Sequence, residues 1–335
     1  MTQTPDAPVI SSRLWRRGEL MAYDFDLDDL DTYLADPECL VWVDICRPDP
    51  DVFAKVSAEL GIDRHSIEDA LTPGERAKAS RRTTHVFVTV YATAVTDPTD
   101  TGERLQLYRI SAFVLKRGLI TIRPNEGFDI DGVLKRWDDN ADLMTFGVPA
   151  LLHGLLDFVV DGHFECITLM DDAIESLEER VFSDTRAEEN QQTYYQLRKD
   201  VVRLRRAVLP MREVVDALFR QGRSTAAAPP ELTGFFEDLY DHVLRATEWT
   251  ESLRDMLTSL FETSLALQDA RLNTVMKKLA GWAAIIAVPT AITGWFGQNV
   301  PYWGFNTQAG VVLTTVLVVT CPLLLYIWFK RRDWI

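Results

Sequence analysis

Between Leu279 and Phe329 the sequence holds no aspartate, glutamate, lysine or arginine. A soluble surface is studded with ionic side chains, so a stretch this long without them does not face water. Cysteine is nearly as scarce. The four residues Cys39, Cys46, Cys166 and Cys321 have no paired or zinc-like spacing. That argues against a disulfide framework and a cysteine metal site, and reads as reduced residues of a core or bilayer. Met1–Leu20 is polar and lacks the apolar run of a secretory signal. No glycine-rich phosphate loop and no nucleophile–base arrangement can be named. His65, His85, His153, His163 and His242 are scattered and are expected at the surface or in packing rather than as ligands. An enzyme reading therefore has no residues to stand on.

The uncharged region contains two apolar segments, Leu279–Phe296 and Gly310–Phe329, separated by the polar link Gly297–Ala309. As helices of about 18 and 20 residues they match the roughly 30 Å hydrocarbon core of a bilayer. The expectation is a helical hairpin through a membrane, with the soluble bulk on one side. Lys277 and Lys278 precede the first span, and Lys330, Arg331 and Arg332 follow the second, while the link has no lysine or arginine. The positive-inside rule then puts both termini in the cytoplasm and the link outside the inner or plasma membrane.

The first span carries a second pattern. Asn273, Met276, Ala280, Ala283, Ala287, Thr290 and Gly294 recur at spacings of 3 and 4 and form one narrow stripe, mostly small or polar. Two readings are open. The stripe is a seam that lets membrane helices approach closely, or it faces the lumen of a pore built from several copies.

The formal charge is −15, yet residues 271–335 hold six basic side chains and one acidic, which leaves −20 on residues 1–270. An acidic domain does not seek nucleic acid. It attracts cations, or is simply soluble.

In chain order, 1–20 is expected to be a mobile leader and 21–150 an α+β cytoplasmic domain with a mostly antiparallel sheet. Its strands are Leu40–Ile45, His85–Thr93, Leu105–Leu115 and Leu119–Arg123, the last two joined by a turn at Lys116–Gly118, with a helix over Asp49–Leu60. Residues 151–231 form the helical part of that domain, as Leu151–Phe182 and Glu189–Arg220. There Arg203, Arg205 and Arg206 are expected to meet acids such as Asp171, Asp172, Glu178 and Glu179. A stalk helix over 232–278 feeds membrane helix 279–296. An extracellular loop (297–309), a second membrane helix (310–329) and a basic cytoplasmic tail (330–335) follow.

N-x-x-M-K-x-L, then P-T-x-I-x-G, then G-x-N resembles the CorA-type family of magnesium and divalent-cation channels, within the metal ion transporter superfamily that includes the ZntB zinc branch. The matching residues are Asn273, Met276, Lys277, Leu279, Pro289, Thr290, Ile292, Gly294, Gly297 and Asn299. The order of elements agrees along essentially the whole chain. One departure is that the family's Gly-Met-Asn reads Gly297-Gln298-Asn299 here. The zinc branch also varies that middle residue, so the change bears on ion choice.

The resemblance implies a funnel-shaped homopentamer in a lipid bilayer that takes up Mg²⁺, and also Co²⁺ or Ni²⁺. It implies a selectivity filter of Gly297, Gln298 and Asn299. The pore would be lined by Asn273, Met276, Leu279, Ala280, Ala283, Ala287, Thr290 and Gly294, with Met276 and Leu279 as an apolar constriction. It carries over Asp69 and Asp238 as carboxylates that face each other between protomers and hold regulatory Mg²⁺, with Glu68 and Asp161 as helpers. Read without the family, those acids are solvated helix-surface or capping residues. Two other functions stay open: Zn²⁺ uptake, and a membrane-anchored sensor or scaffold that conducts nothing.

Overall fold

The structure is a computed structural model that describes residues 8–49, 60–96, 104–183, 187–225, 230–298, 301, 303–332 and 334–335. It divides into two compact units, Met1–Thr258 and Ser259–Ile335.

The first unit is built on a seven-stranded sheet. Its strands are β1 (Val9–Arg16), β2 (Glu19–Tyr23), β3 (Cys39–Cys46), β4 (Lys78–Arg81), β5 (Val86–Val95), β6 (Leu105–Val114) and β7 (Gly118–Arg123). Their order is β2-β1-β3-β7-β6-β5-β4. Every described pairing is antiparallel except that of β3 with β7. That parallel pair lies at the centre, and all residues of both strands are buried, as befits strands covered on both faces. Alternation splits β3 between two cores. Leu40 and Trp42 join one cluster, and Val41, Val43 and Ile45 join the other.

One face is closed by α1 (Leu30–Ala35) and α2 (Arg64–Leu71), which contribute Leu30 and Ala70. The other is closed by α3 (Ile130–Asp139), α4 (Val148–Phe182), α5 (Ala187–Thr225) and the first turns of α6 (Pro230–Phe296). α4 begins before the expected Leu151 because Pro149 occupies its first turn, where a missing N–H leaves no bond unmade. In α6, Leu232, Phe236, Leu239, Val243, Ala246, Leu253 and Leu257 are buried at spacings of 3 and 4 or their sum, the apolar seam that holds a long helix on its neighbours.

Two expectations are corrected. Within the leader expected over 1–20, the described part from Val9 is mostly sheet, since β1 pairs with β3 from Val9↔Cys46 to Arg16↔Cys39. Arg205 does meet an acid of a neighbouring helix, but that acid is Glu251 of α6, at 2.6 Å, and not one of the α4 acids named. The helix expected over Asp49–Leu60 falls almost entirely outside the described residues.

In the second unit, α6 continues to Phe296, and α7 (Gln308–Arg331) follows a turn capped by Thr307, whose side chain accepts from Gly310 N. Gly310 has no side chain because a Cβ there would stand 2.1 Å from the carbonyl oxygen of Gly304. Both helices are long and apolar enough to cross a membrane, and only 6% of each apolar window is buried within the chain. Apolar surface left that bare is unstable in water and requires lipid or further copies.

Candidate functional site

The stripe lies on one face of α6. Asn273, Met276, Leu279, Ala280, Ala283, Ala287, Thr290 and Gly294 are all exposed. From 281 onward the buried and half-buried positions Gly281, Ile285, Val288 and Ile292 fall on the opposite side, at about 100° per residue, with Ala284 and Pro289 flanking them, whereas over 271–280 every position is exposed. That covered side is turned to α7, where Trp282 meets Tyr326 at 6.3 Å and Gly281 abuts Phe329. A packing seam within one chain would be covered. This stripe is not.

Its polar atoms have a defined polarity. Thr290 Oγ1 donates to the Ile286 carbonyl at 2.9 Å. With the hydroxyl proton engaged, the oxygen lone pairs are what Thr290 offers outward. Met276 and Leu279 are 61% and 63% exposed, which makes an apolar band on the stripe's first two turns. At the other end, Gly297 N donates to the Thr293 carbonyl at 2.8 Å and closes the helix. A Cβ on Gly297 would stand 2.8 Å from that same oxygen, so the turn admits glycine alone without shifting. Gln298 is exposed beside it. Asn299 lies outside the described residues.

The acidic candidates fall in two places. Asp161 and Asp238 line one open cleft of about 630 Å³ with Arg136, Asp139, Asp157 and His242. Local packing explains it. Trp137 of α3 packs on α4 at Gly154, where a Cβ would stand 2.6 Å from its Nε1, and that nitrogen donates to the Leu151 carbonyl at 3.2 Å. The neighbouring Arg136 is thereby aimed at Asp157 and Asp161, one turn apart on α4, and pairs with both. Burial pulls the Arg136 pKa down, but the two carboxylates outweigh it and the net shift is upward. Asp238 is 71% exposed, with His242 Nε2 at 3.6 Å.

Asp69 and Glu68 sit instead on α2, whose first turn is capped by Asp63 accepting from Ser66 N at 3.1 Å. Glu68 is exposed. Asp69 Oδ2 accepts from Lys78 Nζ at 2.8 Å. Among the described residues of one chain, no three acids, histidines or cysteines come close enough to hold a metal ion. The resident cations Lys78 and Arg136 were not anticipated from sequence, because each meets its acid across a loop or a helix pair.

The CorA-like Mg²⁺ transporter protein family matches residues 38–331. The chain is 29% identical over 297 residues to the cobalt/magnesium transport protein CorA of Thermotoga maritima, covering 85% of this chain and 80% of that one. It is 25% identical over 300 residues to the cobalt/magnesium transport protein CorA of Methanocaldococcus jannaschii, covering 88% and 92%. Its fold matches the complete structure of the CorA magnesium transporter from M. jannaschii with a TM-score of 0.77 at 20% identity, covering 98% of this chain and 99% of that one.

Proposed function

Since the chain belongs to the CorA-like Mg²⁺ transporter family, we propose that it passes hydrated Mg²⁺, and with it Co²⁺ and Ni²⁺, along the axis of a homopentamer. The membrane is the cell's inner or plasma membrane, and both termini are cytoplasmic. The observation that carries this reading is the bare stripe of α6, opposite the face covered by α7.

Mg²⁺ gives up water reluctantly. Its waters point their hydrogens outward, so a wall that passes the hydrated ion needs acceptors rather than donors. Thr290, with its proton engaged by Ile286, is such an acceptor. Asn273 and Asn299 add amide oxygens along the same path. The link Gly297–Ala309 has no acid, so the mouth attracts cations through backbone carbonyls at the end of α6, where the helix dipole is negative. Gly297 allows those carbonyls to turn toward the axis, and Gln298 and Asn299 complete the filter. Rings of Met276 and Leu279 form an apolar constriction that excludes water when narrow.

Regulation follows by linkage. A divalent ion held between Asp69 of one copy and Asp238 of the next, with Glu68 and Asp161 nearby, favours the closed arrangement and leaves when internal Mg²⁺ falls. The exposed Asp238 and Glu68 suit such a site. Asp69 and Asp161 reach it already paired to Lys78 and Arg136, so the ion must compete with cations in place.

The test is flux of Mg²⁺, Co²⁺, Ni²⁺ and Zn²⁺ into liposomes that hold the purified protein. Mg²⁺ uptake is expected. Uptake of Zn²⁺ alone would replace this reading with zinc transport, and no flux of any ion would leave a membrane-anchored sensor or scaffold.

A further inference from the structure

Gly281 is buried, whereas Ala280 and Trp282 on either side of it are exposed. What covers it is Ile335. A Cβ on Gly281 would lie 3.1 Å from Ile335 Cγ1 and 3.2 Å from Ile335 Cδ1, with Phe329 Cδ2 at 3.8 Å. The segment that delivers Ile335 is folded back on α7. The amides of Arg332 and Trp334 donate to the Phe329 carbonyl at 3.1 and 3.0 Å. The Trp334 ring stacks on Phe329 with centroids 5.5 Å apart and planes 9° from parallel. The cations of the segment turn outward, with Lys330 over Tyr326 at 5.8 Å and Arg332 over Trp328 at 5.4 Å. The basic tail is therefore a docked one, and its apolar tip is seated in the notch that a glycine leaves.

That notch is on the side of α6 away from the stripe, two residues beyond Leu279 and five beyond Met276. No proline interrupts the helix between them, so a push at 281 is transmitted to both side chains. We propose that Ile335, held by the Phe329–Trp334 stack, is a positioning residue for transport: it braces α6 at Gly281 and sets how far Met276 and Leu279 reach into the lumen. This rests on the pore reading above. Glycine at 281 leaves room for the brace, and a methyl there makes the Ile335 side chain give by a few tenths of an ångström.

The test is Mg²⁺ flux into liposomes by the full chain, read as maximal rate and half-saturating external concentration. Gly281→Ala pushes the Ile335 side chain aside, and Ile335→Ala removes most of it. Each is expected to raise the maximal rate by about threefold or more, the low end of coupling between touching side chains. Half-saturation stays unchanged, because the mouth is untouched. The double variant returns toward the wild-type rate, since the new methyl fills the space that the shortened side chain leaves. A merely structural contact would lower assembly and flux together, with no rescue. Single variants that match the wild type, effects that add instead of cancelling, or a moved half-saturation would overturn the brace. If Gly281→Ala does not assemble, the graded pair Ile335→Val and Ile335→Ala decides: the rate must rise with each shortening. A wild type that passes no ion sinks the pore reading instead. The brace then stands or falls on whether the same four proteins show a cancelling double-mutant cycle in thermal unfolding.

Discussion

Lys78 Nζ lies 2.8 Å from Asp69 Oδ2. The same ammonium is 2.6 Å from Glu75 Oε1. Burial works to lower the Lys78 pKa, but the two carboxylates prevail and raise it, so Lys78 is charged at neutral pH. The carboxylate proposed to hold regulatory Mg²⁺ thus starts out with a counter-ion, and an arriving ion would have to displace it or share with it.

Removing that competitor should sharpen regulation. Lys78→Met is expected to lower the Mg²⁺ concentration that protects the cytoplasmic domain from protease by about threefold, the size expected of a partly exposed ion pair. Asp69→Asn with Asp238→Asn should abolish that protection, which in the wild type develops on the millimolar scale of weak carboxylate sites. Equal protection of the wild type and the double variant would place the regulatory ion elsewhere and leave both acids as ordinary surface groups.

If the proposed filter holds, Asn299→Ala removes its amide acceptors and should nearly abolish divalent uptake while assembly stays normal. Gln298→Met restores the family tripeptide and should keep or increase Mg²⁺ flux. Gly297→Ala should also fail, for a different reason: its methyl would sit 2.8 Å from the Thr293 carbonyl and force the helix end open. Wild-type uptake by Asn299→Ala would remove the filter assignment. Loss of uptake in Gln298→Met would give Gln298 a role of its own.

The stripe predicts a directional effect. Ala283→Phe or Ala287→Phe adds a ring of bulk on the exposed face opposite α7 and should block conduction in a symmetric assembly. Leu324→Phe, on the exposed side of α7, should be mild. Comparable losses at all three positions, measured as liposome flux at matched protein, would mean that the α6 stripe is a packing seam between copies.

How much of this was legible beforehand depended on burial. β3, β5, β6 and β7 announce themselves because they are central and their apolar residues continue or alternate along the whole strand. β1 was missed because Ser11, Ser12 and Arg13 lie in its middle. Ser12 and Arg13 are buried, and Arg13 is compensated by Asp138 at 2.6 Å. A polar triplet in sequence looks like a mobile segment until its partner, far along the chain, is known. β2 and β4 are short edge strands: β4 has little apolar content, and β2 is apolar but too brief and too exposed to show an alternating apolar–polar pattern. The membrane helices and the stripe needed no partner to be read, since span length and spacing are local. The acids were visible only as types. Their pairing with Lys78 and Arg136 depends on how α2 meets β4 and how Trp137 lies on α4, and neither contact leaves a local pattern.

His163 gives the soluble unit a defined response to acid. It is buried in α4, its Nε2–H donates to the Tyr91 carbonyl of β5 at 2.8 Å, and burial depresses its pKa to about 4 against that bond's upward pull. The unfolded chain, with an ordinary histidine near pH 6.5, therefore binds the proton before the folded chain does. Stability is full above about pH 6.5 and is lost as pH falls toward 4, by at most about 3 kcal/mol for this group. Burial depresses His85 and His153 as well, so the whole protein should lose stability more steeply than His163 alone dictates. His163→Gln keeps a donor for the Tyr91 carbonyl but cannot titrate. Thermal unfolding of the full chain in detergent between pH 7 and 5 should therefore show a shallower fall for the variant, whatever its stability at pH 7. Parallel pH slopes for the two proteins would mean that His163 binds its proton equally in the folded and unfolded states, and that its burial is less complete than the packing of α4 on β5 implies.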